Sequence, residues 1–91
     1  MMIVDCSDYG PVGPYIADRE EMSNYLAFAE LMIQTHSESW LDAWQDRWEM
    51  ALAWDSVMED VGQAWYSRCM LLQAVAGLRG TRVPKVQVIS N

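Results

Sequence analysis

The sequence predicts a mainly α fold, a small bundle of about three helices with short extended segments at both ends. Three observations predict it. Apolar residues recur at helical spacing from Met22 onward. Capping residues stand where the periodic runs begin. Proline occurs only at positions 11, 14 and 84, outside the periodic body, where it interrupts no helix. A chain of 91 residues is one domain. Hydrophobic residues make up 52% of it, with five Trp and seven Met. That excludes a disordered chain and leaves apolar surface to spare for a partner.

Residues 1–17 read as an extended and looped segment. "MIVDC" suits a short strand, and "YGPVGP", with its two Gly-Pro pairs, suits a loop. The helical body spans about residues 18–78. Asp18 is placed as an N-cap, with Glu21 three residues on as in a capping box. Met22, Tyr25, Leu26, Ala29, Met32 and Ile33 then form one apolar stripe, which sets the first helix at about 19–35.

"THSES" ends that pattern and offers Ser37 and Ser39 as caps for the next. A helical pattern continues to about Leu78. One helix over residues 40–78 would be about 58 Å long, against a diameter near 30 Å for a compact chain of this size. A break is therefore expected near 54–56, where Ser56 and Glu59 form a second box. This gives helices at about 40–53 and 57–77. A single rod remains the alternative, within a larger assembly. Gly77 and Gly80, beside Arg79, are C-cap candidates. Residues 79–91 form a basic tail. Its Val86, Gln87, Val88 alternation is β-prone, and Pro84 confines it to a sheet edge. It either pairs with residues 2–6 or is loose.

Trp40, Trp44 and Trp48 lie four residues apart, with Leu41, Ala51 and Leu52 beside them. On a helix they cover about 80° of one face, which must be covered in turn. Trp54 and Trp65 complete the set. The first expectation is that these indoles build the core against Met22, Leu26 and Met32. A homodimer seam and a hot spot for another protein are the alternatives. Asp42, Asp46 and Glu49 fall on the opposite face, with Asp60 on the same line if the helix continues. Neither Asp42 nor Asp46 has a Lys or Arg four residues on. The plain reading is a solvated face. The sharper one is a negative surface for a basic partner.

The net charge of −7, from thirteen acids and six Lys or Arg, argues against direct nucleic-acid binding and against an anionic membrane surface. The chain has no apolar run long enough to span a bilayer and no basic, apolar leader at its start. The expected location is the cytoplasm, the host's if the chain is viral. Cys6 and Cys69 are then two reduced, buried thiols, unless the N-terminal segment packs against the late helix and lets them pair.

No constellation for chemistry emerges. His36 is the sole histidine, too little for a metal site. No calcium loop or phosphate-cradling glycine motif occurs. Nothing local supports Cys6 or Cys69 with His36 as nucleophile and base. No catalytic residue, metal or cofactor is expected. The expected function is a non-catalytic acidic interaction module. A small inhibitor of the kind phages use against host machinery is its most specific form, by analogy of profile alone. It would occlude a basic or nucleic-acid-binding surface of a partner protein through Asp42, Asp46, Glu49 and Asp60. The runner-up is a homo-oligomeric assembly subunit with the Trp stripe as its seam. The third class is a small-ligand binder or enzyme around His36.

Overall fold

The computed structural model describes residues 2–10, 13–57 and 63–90. Three helices, α1 (Arg19–Thr35), α2 (Glu38–Val57) and α3 (Gln63–Arg79), pack against three short strands, β1 (Met2–Asp5), β2 (Tyr15–Ala17) and β3 (Gln87–Ser90). The mainly α class and the helix count are as the periodicity predicts.

α1 has the predicted bounds because its signals are local. The Asp18 carboxylate accepts the Glu21 backbone N–H at 2.8 Å. Only half of the capping box forms, since the Glu21 carboxylate accepts the Tyr15 hydroxyl at 2.9 Å. Ser37 starts α2, its hydroxyl accepting the Trp40 N–H at 3.3 Å.

The second and third helices are separate, as predicted, but the break does not fall at 54–56. α2 runs through those positions to Val57, because Trp54 to Val57 continue a proline-free, glycine-free helical run. Helices drawn at 40–53 and 57–77 are therefore Glu38–Val57 and Gln63–Arg79. The Ser56–Glu59 box falls partly outside the described residues. α2 and α3 pack against one another, and the longest dimension is 34 Å, so they are not one straight rod. α3 ends in a Schellman motif. Gly80, at φ 72°, donates its N–H to Gly77, and Thr81 donates to Ala76 at 2.9 Å.

α3 is the central helix, in contact with both α1 and α2. Trp65, Cys69, Met70, Leu72, Val75 and Ala76 are buried along it. The core continues through Ala29 and Met32 of α1, Leu41, Trp44 and Leu52 of α2, and Val4 and Ala17 of the sheet.

The sheet order is β2-β1-β3, antiparallel throughout. The C-terminal segment is thus β-paired as an edge strand, although Pro84, expected to confine it there, lies ahead of β3 and outside the sheet. Val4 lies opposite Tyr15 and Val88 and faces the helices. Ile3 lies opposite Ile16 and Ile89, which makes a row of three isoleucines on the outer face. Pro84 and Lys85 (φ 62°) occupy the centre of a turn closed by Val86 N–H to Val83. This is the type II pattern, with Pro before a left-handed residue. The Tyr9 hydroxyl donates to the Pro84 carbonyl and fixes the turn.

Cys6, just past β1, and Cys69 of α3 form a disulfide. This replaces the expected pair of reduced thiols. The condition named above is met: the N-terminal strand packs over the late helix and brings the two Cα atoms to 6.7 Å. No helix among the described residues is long and apolar enough to cross a membrane.

Candidate interaction surface

At 100° per residue, α2 divides into three longitudinal faces. Leu41, Trp44, Gln45 and Leu52 are buried and Trp48 is half-buried, so they form the core face. Asp42, Asp46 and Glu49 form an acidic face. Trp40, Ala43, Arg47, Met50 and Trp54 form a third, and all five are exposed.

The Trp stripe is therefore split. Trp44 is 8% exposed and Trp65 only 1%. Trp48 packs on the core, its ring 5.0 Å from that of Trp44. Trp40 is 42% exposed and Trp54 64%. The split arises because the core-facing line runs through Leu41, Gln45, Trp48 and Leu52. That line is rotated from the one joining Trp40 to Trp44. His36, at the end of α1, stacks on Trp40 with ring centres 3.7 Å apart.

The acidic residues also separate by role. Asp42 is not unpaired, as its helical neighbours suggested, because Arg79 reaches it from 37 residues away in sequence. The Arg79 side chain is only 3% exposed. Its guanidinium donates to Asp42, to Glu38 at 2.6 Å and to the Gln45 side-chain oxygen. Those hydrogen bonds hold the Arg79 pKa above its ordinary value. Gln45, itself buried, donates to the Thr81 hydroxyl at 3.3 Å. Glu38, Asp42 and Gln45 thus form an internal clasp for the end of α3. Asp42 serves the fold before it serves any partner.

Asp46 and Glu49 make no ion pair among the described residues. They line a shallow basin of about 430 Å³ together with Thr81, Arg82 and Pro84. Burial, and secondarily the Asp46 charge, raise the Glu49 pKa. Burial and then the Glu49 charge likewise raise the Tyr9 pKa. Asp60 lies outside the described residues.

A raised carboxyl pKa means that the folded state holds its proton more tightly than the unfolded chain. The ionised form then weakens folding as pH rises through the ordinary glutamate value of 4.5 and above. Glu49→Gln should accordingly raise Tm at pH 7. The difference from the parent should vanish below pH 4.5. Melting curves of both chains across pH 3.5–8 check the sign.

Sequence reasoning missed Met50, Ala43 and Arg47 as surface partners of Trp40 and Trp54. The signal was present: positions 40, 43, 47, 50 and 54 follow the 3,4,3,4 spacing of a helix-pairing seam. The four-residue interval of the first three tryptophans obscured it. Away from α2, an apolar groove of about 160 Å³ opens between α1, α3 and the sheet, lined by Met2, Met22, Leu26, Ala74, Leu78 and Val88. Among the described residues no group of three or more His, Cys, Asp or Glu is placed to hold a metal ion. No protein-family model matches the chain, and neither the curated proteins nor the solved structures yield a match to it.

Proposed function

We propose that the protein is a non-catalytic interaction module and that the solvent side of α2 is its contact face. One observation carries the proposal. Trp40, Met50 and Trp54 stand exposed on the same helix as Asp46 and Glu49, whose carboxylates make no ion pair among the described residues. Large exposed apolar groups flanked by a pair of acids are what a protein interface presents before its partner arrives. The apolar side chains supply affinity, and the acids speed and orient a basic partner. Occlusion of a nucleic-acid-binding surface, as by a phage-type inhibitor, is the narrowest form of this function.

Affinity capture from the source cell tests it, with elution in steps of rising salt. The expected result is a partner held by the parent chain and released at moderate salt, because exposed charges are screened beyond about 10 Å at 0.1 M. Asp46→Lys with Glu49→Lys should lose that partner while the circular dichroism spectrum stays helical. Asp42 is excluded from the swap because it belongs to the Arg79 clasp. A partner retained equally by the double variant refutes the acidic face.

A second reading, a homo-oligomeric assembly subunit, is favoured by the isoleucine row on the outer face of the sheet. Capture that returns only the chain itself would favour it. The expected cytoplasmic location meets a constraint in the disulfide, since such bonds persist in oxidising compartments. The redox state of Cys6 and Cys69 in chain recovered from the source cell reports which compartment applies.

A further inference from the structure

The five exposed residues of the third α2 face occupy successive core positions of a heptad: Trp40, Ala43, Arg47, Met50 and Trp54. The line runs about 21 Å along the helix. Its small member, Ala43, leaves a notch of about 60 Å³ walled by Trp40, Trp44 and Arg47. This is the hole that a knob from a facing helix fills. Strand or loop partners do not require this spacing; a helix does.

The charge at the centre decides which helix. Arg47 is exposed, and among the described residues it makes no ion pair. It is also the midpoint of the seam. A second copy paired in parallel register sets Arg47 against Arg47. An antiparallel pair centred on the seam does the same, with Trp40 opposite Trp54. A shift of one heptad avoids the clash but gives up half of the seam. Like charges at the centre of a closed interface are strongly unfavourable. The face is therefore poorly matched to itself and well matched to a helix carrying an acid at that point. Beside the seam lies Asp46, about 80° round the helix from its centre line. A basic residue on that flank of the partner completes the match.

We infer that α2 docks an amphipathic helix of another protein, with apolar knobs on the Trp40–Trp54 seam, an acidic residue against Arg47 and a basic flank along Asp46; this rests on α2 being the contact face.

The test uses the full chain and two synthetic 21-residue helical peptides. Both carry Leu at the heptad core positions and Lys on the flanks. One has Glu at the central core position and its sibling has Lys. Fluorescence anisotropy of the labelled peptides should show the Glu peptide binding about tenfold or more tightly than its sibling. Arg47→Glu should reverse that order. Arg19→Glu, at the exposed start of α1, changes net charge equally and should leave the order intact. Trp54→Ala should weaken both peptides. The inference is overturned if neither peptide binds, if Arg47→Glu leaves the ranking unchanged, or if Arg19→Glu reverses it as well. Should the peptides fail while the salt-sensitive partner is still lost on reversing Asp46 and Glu49, only the helical seam falls and the acidic contact face stands.

Discussion

Reduction of the Cys6–Cys69 disulfide should lower stability by about 4 kcal/mol. The bond spans 63 residues of sequence. Closing a loop of that length removes about 4 kcal/mol of chain entropy from the unfolded state. A domain of this size has only about 5–15 kcal/mol in total, so the bond supplies a large share of it. The expected fall in Tm is roughly 15–30 °C. Thermal melts with and without dithiothreitol measure it, and Cys6→Ala with Cys69→Ala serves as the chain that cannot oxidise. Oxidised and reduced forms that melt within about 3 °C of one another would show that the cross-link contributes little. Both sulfur-bearing residues are buried, so full reduction should follow unfolding instead of preceding it.

Two tryptophans should answer the same substitution in opposite ways. Trp65 is enclosed at the start of α3, edge-on to Tyr66 with ring centres 5.2 Å apart. Trp65→Ala should cost about 3–5 kcal/mol through lost burial and the cavity left behind. Trp54 stands in solvent on α2, and Trp54→Ala should change stability by less than about 0.5 kcal/mol. Its effect should appear in binding instead, where an exposed indole has its value. Urea unfolding of the two variants measures the first difference, and the peptide titration measures the second. A Trp54→Ala chain destabilised as much as Trp65→Ala would place Trp54 in the core and remove it from the contact face.

The parts of the fold that were legible in the sequence are those specified by neighbours. Asp18, Glu21 and the Met22-to-Ile33 stripe set α1 at its observed bounds, because capping and periodicity act within a few residues. The β-prone tail was legible for the same reason, through the Val86–Val88 alternation, which runs into β3. β2 was not. "YIA" is three residues after a Gly-Pro pair, too short for any period to register. The Arg79 clasp and the Cys6–Cys69 bond were also beyond a local reading. Each joins residues more than thirty positions apart, and only the packing of α3 on its neighbours brings them together. The interaction face was half legible. Its acids and indoles were visible, but the rotation of α2 that buries Trp44 and exposes Trp54 depends on α3.

The strand order β2-β1-β3 also bears on the sequence of events at the ribosome. β1 is the middle strand, yet one of its two neighbours, β3, is made after all three helices. During synthesis β1 can pair early with β2 while its other edge stays open. An open edge pairs with any β-prone segment that reaches it, including one from a neighbouring nascent chain. The disulfide partner of Cys6 likewise arrives only with α3. Between the emergence of β1 and that of β3, the strand on which the finished sheet is centred keeps one edge without its native neighbour.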